Sequence, residues 1–562
     1  MTVLDLFCGA GGFSEGFRSV GFQIVEGVDH WRPAIETFNY NFGLECTTAE
    51  ILQFEKNPDL IDTLPDTDVI IGSPPCVSFS YSNKLGNSDK AEGVRLIRIF
   101  FAIVAVKKFK RASKLAAWYM ENVANALDSI PSSYTFADLG LRKWARQRRF
   151  SPSAIAINVA ENAMVLNAAD FGVPQMRKRL FVYELLPRAR KKSALPLLTK
   201  RQTHLACADA RLRLPRTNCA KSNRRIVDPL YKTIKLPLHH LTDHFYETGA
   251  YEIHWRDSRL LKISHPYMGR MSFPENETKP SRTIVASPFP RSREALLYRS
   301  EWRREGDGEY RGPTIREAAT LMSFPITYQF AGVEAAKWKL VGNAVCPFVA
   351  RELATQLLRS LGRRVRSAPR SQLPHLSEKL KNLNTFVPKA YDTPPRRRPL
   401  ARFRRHPLKA ASMTVALANY DVTKKNHKDG RWRCFVTYGI GEGYRVQRFR
   451  LNQLRRIQRT VEDATRDGAQ FVEQIMDGFL TRIPPGQVLQ ELYESNLKTR
   501  DNFLHPSELL ERVHEIILSC SNPNECVSTN GLFYRDEVPK SQLFALFAVC
   551  QITAVANQPI RL

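Results

Sequence analysis

The segment Gly72-Ser73-Pro74-Pro75-Cys76 presents a candidate nucleophile. It follows a short apolar run, and two consecutive prolines stiffen the turn. The Cys76 thiol would therefore stand at a strand's carboxyl end, on the edge where open α/β sheets bind ligands. An inert buried cysteine would prefer apolar surroundings to a loop carrying Ser73, Ser78 and Ser80. Met120-Glu121-Asn122-Val123 ends another apolar run and would bring a carboxyl group to the same edge. In Gln175-Met176-Arg177-Lys178-Arg179, the two-residue period of an extended chain sets Arg177 and Arg179 on one side. A nucleophile and an acid would thus share one ligand-binding edge, with two arginines on one side of a nearby extended segment. Either arginine could instead be a structural ion-pair partner.

A second group of residues points to a ligand. Asp5-Leu6-Phe7-Cys8-Gly9-Ala10-Gly11-Gly12 puts a glycine-rich turn between a strand and a helix, where backbone can approach a bound molecule closely. About twenty residues on, Asp29 follows the strand ending at Val28. A carboxylate there can accept hydrogen bonds from both hydroxyls of a ribose, or it can cap the next helix. Strand, glycine turn and acid together favour an adenosyl ligand over a phosphate.

Strands are expected at Val3 to Phe7, Ile24 to Val28, Asp68 to Ile71, Ala117 to Met120 and Leu180 to Tyr183, separated by helical patterns. This alternation predicts an α/β sheet with helical crossovers. From residue 186 to 312 the rhythm gives way to Arg, Lys, His and Pro, as in a loop-built recognition lobe. Helices then resume at Thr314 to Met322 and Pro347 to Leu361. Residues 365–412 form a Pro/Arg-rich linker that could also bind phosphates. Residues 413–562 read as a separate α+β domain, with strands at Thr414 to Tyr420, Arg433 to Tyr438 and Tyr444 to Leu451, a helix starting near Pro506-Ser507 and a buried helix over Leu543 to Val555. The catalytic domain would then comprise 1–185 and 313–364.

The 562 residues include 84 Lys and Arg against 55 Asp and Glu, a formal charge of +29. Such an excess calls for a polyanion, most commonly nucleic acid. Ten cysteines contain no Cys-x-x-Cys unit, so neither a disulfide scaffold nor a zinc ribbon is indicated and no metal is expected. A reducing, cytoplasmic setting is expected, with no leader and no membrane span.

These blocks, in this order, resemble the DNA (cytosine-5) methyltransferase family of bacterial restriction-modification type: the glycine turn, the Pro-Cys block, Glu-Asn-Val and Gln-x-Arg-x-Arg. Two further blocks match, Arg316-Glu317-Ala318-Ala319 with Phe324-Pro325, and Gly342-Asn343-Ala344-Val345. The resemblance covers residues 1 to about 361 and does not extend to the C-terminal domain. It implies an S-adenosylmethionine-dependent, Rossmann-like sheet with an inserted target-recognition lobe, acting on double-stranded DNA, with a cognate restriction endonuclease as a candidate partner.

The family's chemistry implies that Cys76 adds to carbon-6 of a flipped cytosine, that Glu121 hydrogen-bonds the ring nitrogen-3 and exocyclic amine, and that Arg179 grips the carbonyl oxygen while Arg177 braces the site. Phe7, Cys8, Gly9, Ala10, Gly11 and Gly12 would pass beneath the methionine part of the cofactor, Asp29 would hold the ribose, and His30 or Trp31 would cover the adenine. Glu50 stands where the family commonly has Asp, beside Ile51; Pro75, Asn343 and Val345 complete the cofactor pocket. Glu92-Gly93 departs from the family's frequent Arg-Gly. The loop carrying Ser78 and Ser80 would close over the base. Arg282 and Thr283, next to Ile284, resemble a pair found in recognition regions. Arg211, Arg213, Arg216, Arg224, Arg225, Arg291 and Arg293 are candidate phosphate or guanine contacts. A transfer-RNA methyltransferase and a DNA-binding regulator without chemistry remain alternative readings; intact Cys76 and Glu121 argue against the second.

Overall fold

A computed structural model describes residues 1–75, 90–187, 198–219, 224–263, 270–302, 304–365, 382–387, 402–410, 413–423, 429–438 and 445–558. The chain divides into two compact units. The first holds residues 1–248, 275–288 and 313–388; the second holds 249–274, 289–312 and 389–562.

The first unit is built on a six-stranded sheet: β1 (Thr2–Leu6), β2 (Gln23–Val28), β3 (Val69–Gly72), β4 (Ala117–Val123), β5 (Ala163–Asn167) and β6 (Lys178–Leu185), in the order β2-β1-β3-β4-β6-β5. β1 to β4 pair in parallel, and β6 runs antiparallel between β4 and β5. The expected α/β alternation is present, and β5, with Met164 and Val165 exposed on an edge, is the strand that hydrophobic patterning missed. Central parallel strands are covered on both faces and so read as unbroken apolar runs. Val69, Ile70, Ile71, Trp118 and Met120 are buried, as are Ile97, Phe100, Phe101, Ile103 and Val104 of the helix Lys90–Phe109. Each such side chain contributes about 1.5–3 kcal/mol on burial. Gly72 is demanded by this packing, because a Cβ there would lie 2.6 Å from the Phe100 ring and 2.7 Å from the Leu6 carbonyl oxygen.

The helix Gly12–Arg18 after β1 packs on the helix Pro347–Ser360 with Gly16 against Ala350, so the end of this unit returns to its beginning. The helix Ile315–Leu321 starts at Thr314, whose hydroxyl accepts from the Glu317 amide at 3.1 Å while Glu317 accepts from the Thr314 amide at 2.8 Å. Arg316 behind it is buried and donates to the carbonyls of Thr242 (3.1 Å) and Tyr328 (2.7 Å).

The second unit contains a four-stranded antiparallel meander, β7 (Arg405–Ala410), β8 (Met413–Ala418), β9 (Arg433–Tyr438) and β10 (Arg445–Phe449). The helix Lys540–Ala556 is apolar around its whole circumference and buried, and Gln542 fastens it to β8 by accepting from the Val415 amide at 3.0 Å. The helix Pro506–Ser519 adds Leu509, Leu510, Val513 and Ile517 to the same core.

This unit also takes in two segments from the basic insert. Arg291 donates to Asp257 at 2.6 Å and to Asn496 at 3.2 Å; Ser507 donates to Asp257 at 3.0 Å, and Arg404 lies 3.5 Å from the same carboxylate. Arg256 pairs with Glu508 at 3.1 Å and Glu511 at 3.2 Å. Three of the arginines expected to meet DNA are thereby corrected. Arg291 is 2% and Arg293 8% exposed, and in the first unit Arg211 is 4% exposed and paired with Glu277 and Glu317. Desolvating a guanidinium is costly, and carboxylates or carbonyls of the fold, not phosphates, compensate here. No helix among the described residues is long and apolar enough to cross a membrane.

Candidate active site

Several turns gather at the carboxyl edge of β1 to β4. β1 runs into Phe7, a non-glycine residue at φ 56, then Gly9 at φ 52 and Gly11 at φ 77. The left-handed region is rarely occupied by bulky residues, so this turn is held in place by its surroundings. The Cys8 amide donates to the Val28 carbonyl at 3.1 Å and Gly11 to the Cys8 carbonyl at 2.8 Å. Tyr328 reaches in from the C-terminal part of the unit to donate to the Ala10 carbonyl. The glycines serve different needs. A Cβ on Gly11 would strike Phe42 and the Tyr328 hydroxyl, and one on Gly12 would strike the Val345 carbonyl, whereas one on Gly9 would meet nothing within 4 Å. Gly9 therefore fronts open space, and the other two permit close packing behind it.

Asp29 combines the two roles left open by its sequence position. Its carboxylate accepts from the Gly9 amide at 3.0 Å and from the Trp31 amide at 2.9 Å, where the helix Arg32–Phe42 begins. Burial raises its proton affinity and the two amides oppose that rise. The Ala49 amide donates to the Asp29 carbonyl at 3.0 Å, which brings Glu50 and Ile51 to the end of β2, with Ile51 buried and Glu50 exposed. The His30 ring is exposed, 3.6 Å from the Asp29 carboxylate. Burial pushes the Cys8 thiol far up. Asn343, at the end of the helix Glu334–Asn343, is exposed, and Val345 sits behind Gly12.

Asp5 is the residue that sequence reasoning passed over. It is 1% exposed and accepts from Ser14 at 2.6 Å. Burial pushes it up to about 8, with the Ser14 hydroxyl opposing. The available signal was an acid inside an otherwise apolar strand.

On the other side of the edge, Glu121 is 4% exposed and gripped from two directions: Ser73 donates to Oε2 at 2.5 Å and the Arg179 Nε lies 3.1 Å from Oε1. The β4 register opposite β6, Glu121 to Phe181 and Val123 to Arg179, explains how residues 58 apart in number meet. Asn122 donates to the Pro74 carbonyl at 3.2 Å and thereby holds the turn that leads through Pro75. Cys76, Ser78 and Ser80 lie outside the described residues.

Arg177 is 3% exposed and donates to three carbonyls, Ile284 (3.3 Å), Gly342 (3.0 Å) and Ala344 (3.1 Å). Glu121, Arg177, Arg179, Phe181, Val345 and Cys346 line one hollow. Burial pushes the Cys346 thiol up to about 11 although both arginines oppose it, so it is a poor thiolate. The Thr283 hydroxyl donates to the Met176 carbonyl at 2.9 Å and Arg282 pairs with Glu275, so both are engaged within the fold.

An open α/β sheet whose first strand ends in a left-handed glycine turn, tied to an acid at the end of the second, is the cofactor platform of S-adenosylmethionine-dependent methyltransferases. Within that class, the chain belongs to the C-5 cytosine-specific DNA methylase family, whose model matches residues 1–359. It is 29% identical over 358 residues to the type II methyltransferase M.HgiDI of Herpetosiphon aurantiacus, covering 64% of this chain and 94% of that one. It is 25% identical over 366 residues to the type II methyltransferase M.MthTI of Methanothermobacter thermautotrophicus, covering 64% and 98%. Among solved structures, the Entamoeba histolytica methyltransferase EhMeth aligns over 64% of this chain and 98% of that one, at 14% identity and a TM-score of 0.40. Residues 360–562 lie beyond the family match.

Proposed function

We propose that this enzyme methylates carbon-5 of a cytosine flipped out of a specific duplex DNA sequence, through a covalent Cys76 adduct at carbon-6, in a restriction-modification system with a cognate endonuclease. The observation that carries the reading is Glu121, buried at a ligand-binding sheet edge and oriented by Ser73 and Arg179, beside the turn that leads to Cys76. The open space before Gly9, next to the Asp29 carboxylate, suits an adenosyl ligand; S-adenosylmethionine bound there would supply an electrophilic methyl group, its S–CH3 bond breaking to leave the neutral thioether.

In this reading the Cys76 sulfur bonds to carbon-6 and the ring's π pair moves to carbon-5, which becomes nucleophilic enough to take the methyl. Glu121 hydrogen-bonds nitrogen-3 and the exocyclic amine and so stabilises charge that builds as sulfur adds. Arg179 serves the carbonyl oxygen, and Arg177 positions the strand through its three carbonyl partners. A base then removes the carbon-5 proton and the carbon–sulfur bond breaks. Residues 186–312 would read the target; Arg213, Arg224, Arg225 and Lys232 line a hollow there together with Asp228, and these cations would meet phosphates.

Expression in a methylation-deficient bacterium followed by bisulfite sequencing tests this directly. A recurrent methylated sequence is expected, and Cys76→Ala should abolish it while DNA binding persists. Label from S-adenosylmethionine appearing only in RNA, or turnover by the Cys76→Ala variant, would sink the reading.

A further inference from the structure

The helix Leu454–Ala464 buries Ile457 and Val461 and turns Arg455, Arg456 and Arg459 to solvent. Arg450 and Arg466, just outside its two ends, are also exposed. Several arginines of this unit meet carboxylates, among them Arg256, Arg291, Arg311, Arg433 and Arg448. Among the described residues Arg455, Arg459 and Arg466 have no such partner. Glu462, one turn on, is held by Gln458 at 2.9 Å, and Arg456 donates to the Asn530 carbonyl at 2.8 Å. Like charges at positions 455 and 459 are one helical turn apart, and Asp463, exposed one turn beyond Arg459, forms no ion pair with it that would relieve their repulsion. An external polyanion would offset it.

A second observation favours duplex DNA as that polyanion. The helix belongs to the same compact unit as residues 249–274 and 289–312, which come from the insert expected to read DNA. Asp257, Arg291, Asn496 and Ser507 join the insert segments to the C-terminal chain through buried hydrogen bonds. A duplex engaged by those insert segments is therefore engaged by a body that includes residues 454–466.

We propose that the C-terminal part of the chain is a duplex-binding element, and that Arg455, Arg459 and Arg466 contact the DNA phosphate backbone outside the methylated cytosine. This rests on the reading of the enzyme as a duplex DNA methyltransferase. The contacts carry affinity and no base sequence, because phosphates are alike at every step.

The test compares the full-length enzyme with the variant Arg455→Ala/Arg459→Ala/Arg466→Ala on a fluorescein-labelled duplex containing the mapped site, across a salt series. Removing one arginine from a phosphate should flatten the plot of log affinity against log salt by about 0.9, so the slope should fall by roughly two to three for the triple variant. Affinity near 0.1 M salt should drop by about one to two orders of magnitude. Turnover at saturating DNA and the melting temperature should not change, and the corresponding triple lysine variant should recover the slope. A triple alanine variant with wild-type slope and affinity overturns the proposal, as does an affinity loss accompanied by a lower melting temperature and an unchanged slope. A wild-type enzyme that neither binds nor methylates duplex DNA overturns instead the reading on which the proposal rests.

Discussion

Both units bury charge, but they dispose of it differently. In the first, Glu121, Arg179 and Asp29 stand at the open edge of a sheet, each held by neighbours on one side and facing a hollow or free space on the other. In the second, Asp257 and Arg291 pair with one another and, through Ser507 and Asn496, tie three stretches of chain that are far apart in sequence. The proposed function makes the Glu121 cluster chemistry, whereas the Asp257 cluster is architecture, as the Arg211–Glu317 pair is within the first unit. What separates them is whether the partners leave a face for a ligand, which neither burial nor charge reveals by itself.

The largest effect should come from the first unit. Glu121→Gln keeps the shape and a partner for Ser73 but removes the negative charge. Methyl transfer should fall by about 10²–10⁴-fold, the range typical of positioned acid–base groups, with the melting temperature nearly unchanged. Methyl incorporation and thermal unfolding on the same preparation check it. Activity within threefold of wild type would mean that Glu121 is architectural too, and the contrast would fail.

Asp257→Ala should do the opposite. Leaving Arg291 buried without its carboxylate costs about 3–5 kcal/mol. Hydrogen exchange should accelerate in peptides covering 252–263, 405–418 and 506–519 while those covering β1 to β4 keep their protection. The paired replacement Asp257→Leu/Arg291→Met should recover much of the loss, since well-packed apolar groups can replace a buried ion pair. No recovery would point to a specific role for the charges beyond holding the segments together.

The sequence made much of the first unit legible because its signals are local. β1 to β4 read as short apolar runs and the turn as glycines, and in the second unit the helix Lys540–Ala556 read as an apolar stretch over Leu543 to Val555. Sheet order and the antiparallel return of β6 carry no local signature. Nor does the fate of an arginine: Arg291 and Arg225 look alike in sequence, and only the distant Asp257 makes one of them structural. The joining of residues 249–274 and 289–312 to the C-terminal chain was invisible for the same reason. Arg177 and Arg179 were expected on one side and do line one hollow, but the division of labour between carbonyls and Glu121 depends on segments more than a hundred residues away.

The smallest effect at neutral pH separates the units by sign. Burial holds His406 down to about 3 and pushes His505 well below its ordinary value, in surroundings that include Arg291, Arg404, Asp257, Tyr493 and Trp432. Their folded proton affinity is depressed, so the unfolded chain takes up protons first as pH falls below the ordinary value of 6.5. One unit below that value, each histidine costs the folded second unit about 1.4 kcal/mol. Asp5 runs the other way. Its folded value is raised to about 8 from an ordinary 3.8, so its contribution is full below 3.8 and lost as pH rises through 8. Hydrogen exchange at about pH 5.5 against pH 8 should therefore show the meander β7 to β10 loosening in acid, while Asp5 contributes in the opposite direction to β1 and the helix behind its turn. His406→Phe should flatten the first response and Asp5→Asn the second, each without touching the other. If both substitutions altered both responses, the two units would not be titrating independently, and the division between chemical and architectural charge would have to be redrawn as a single coupled network.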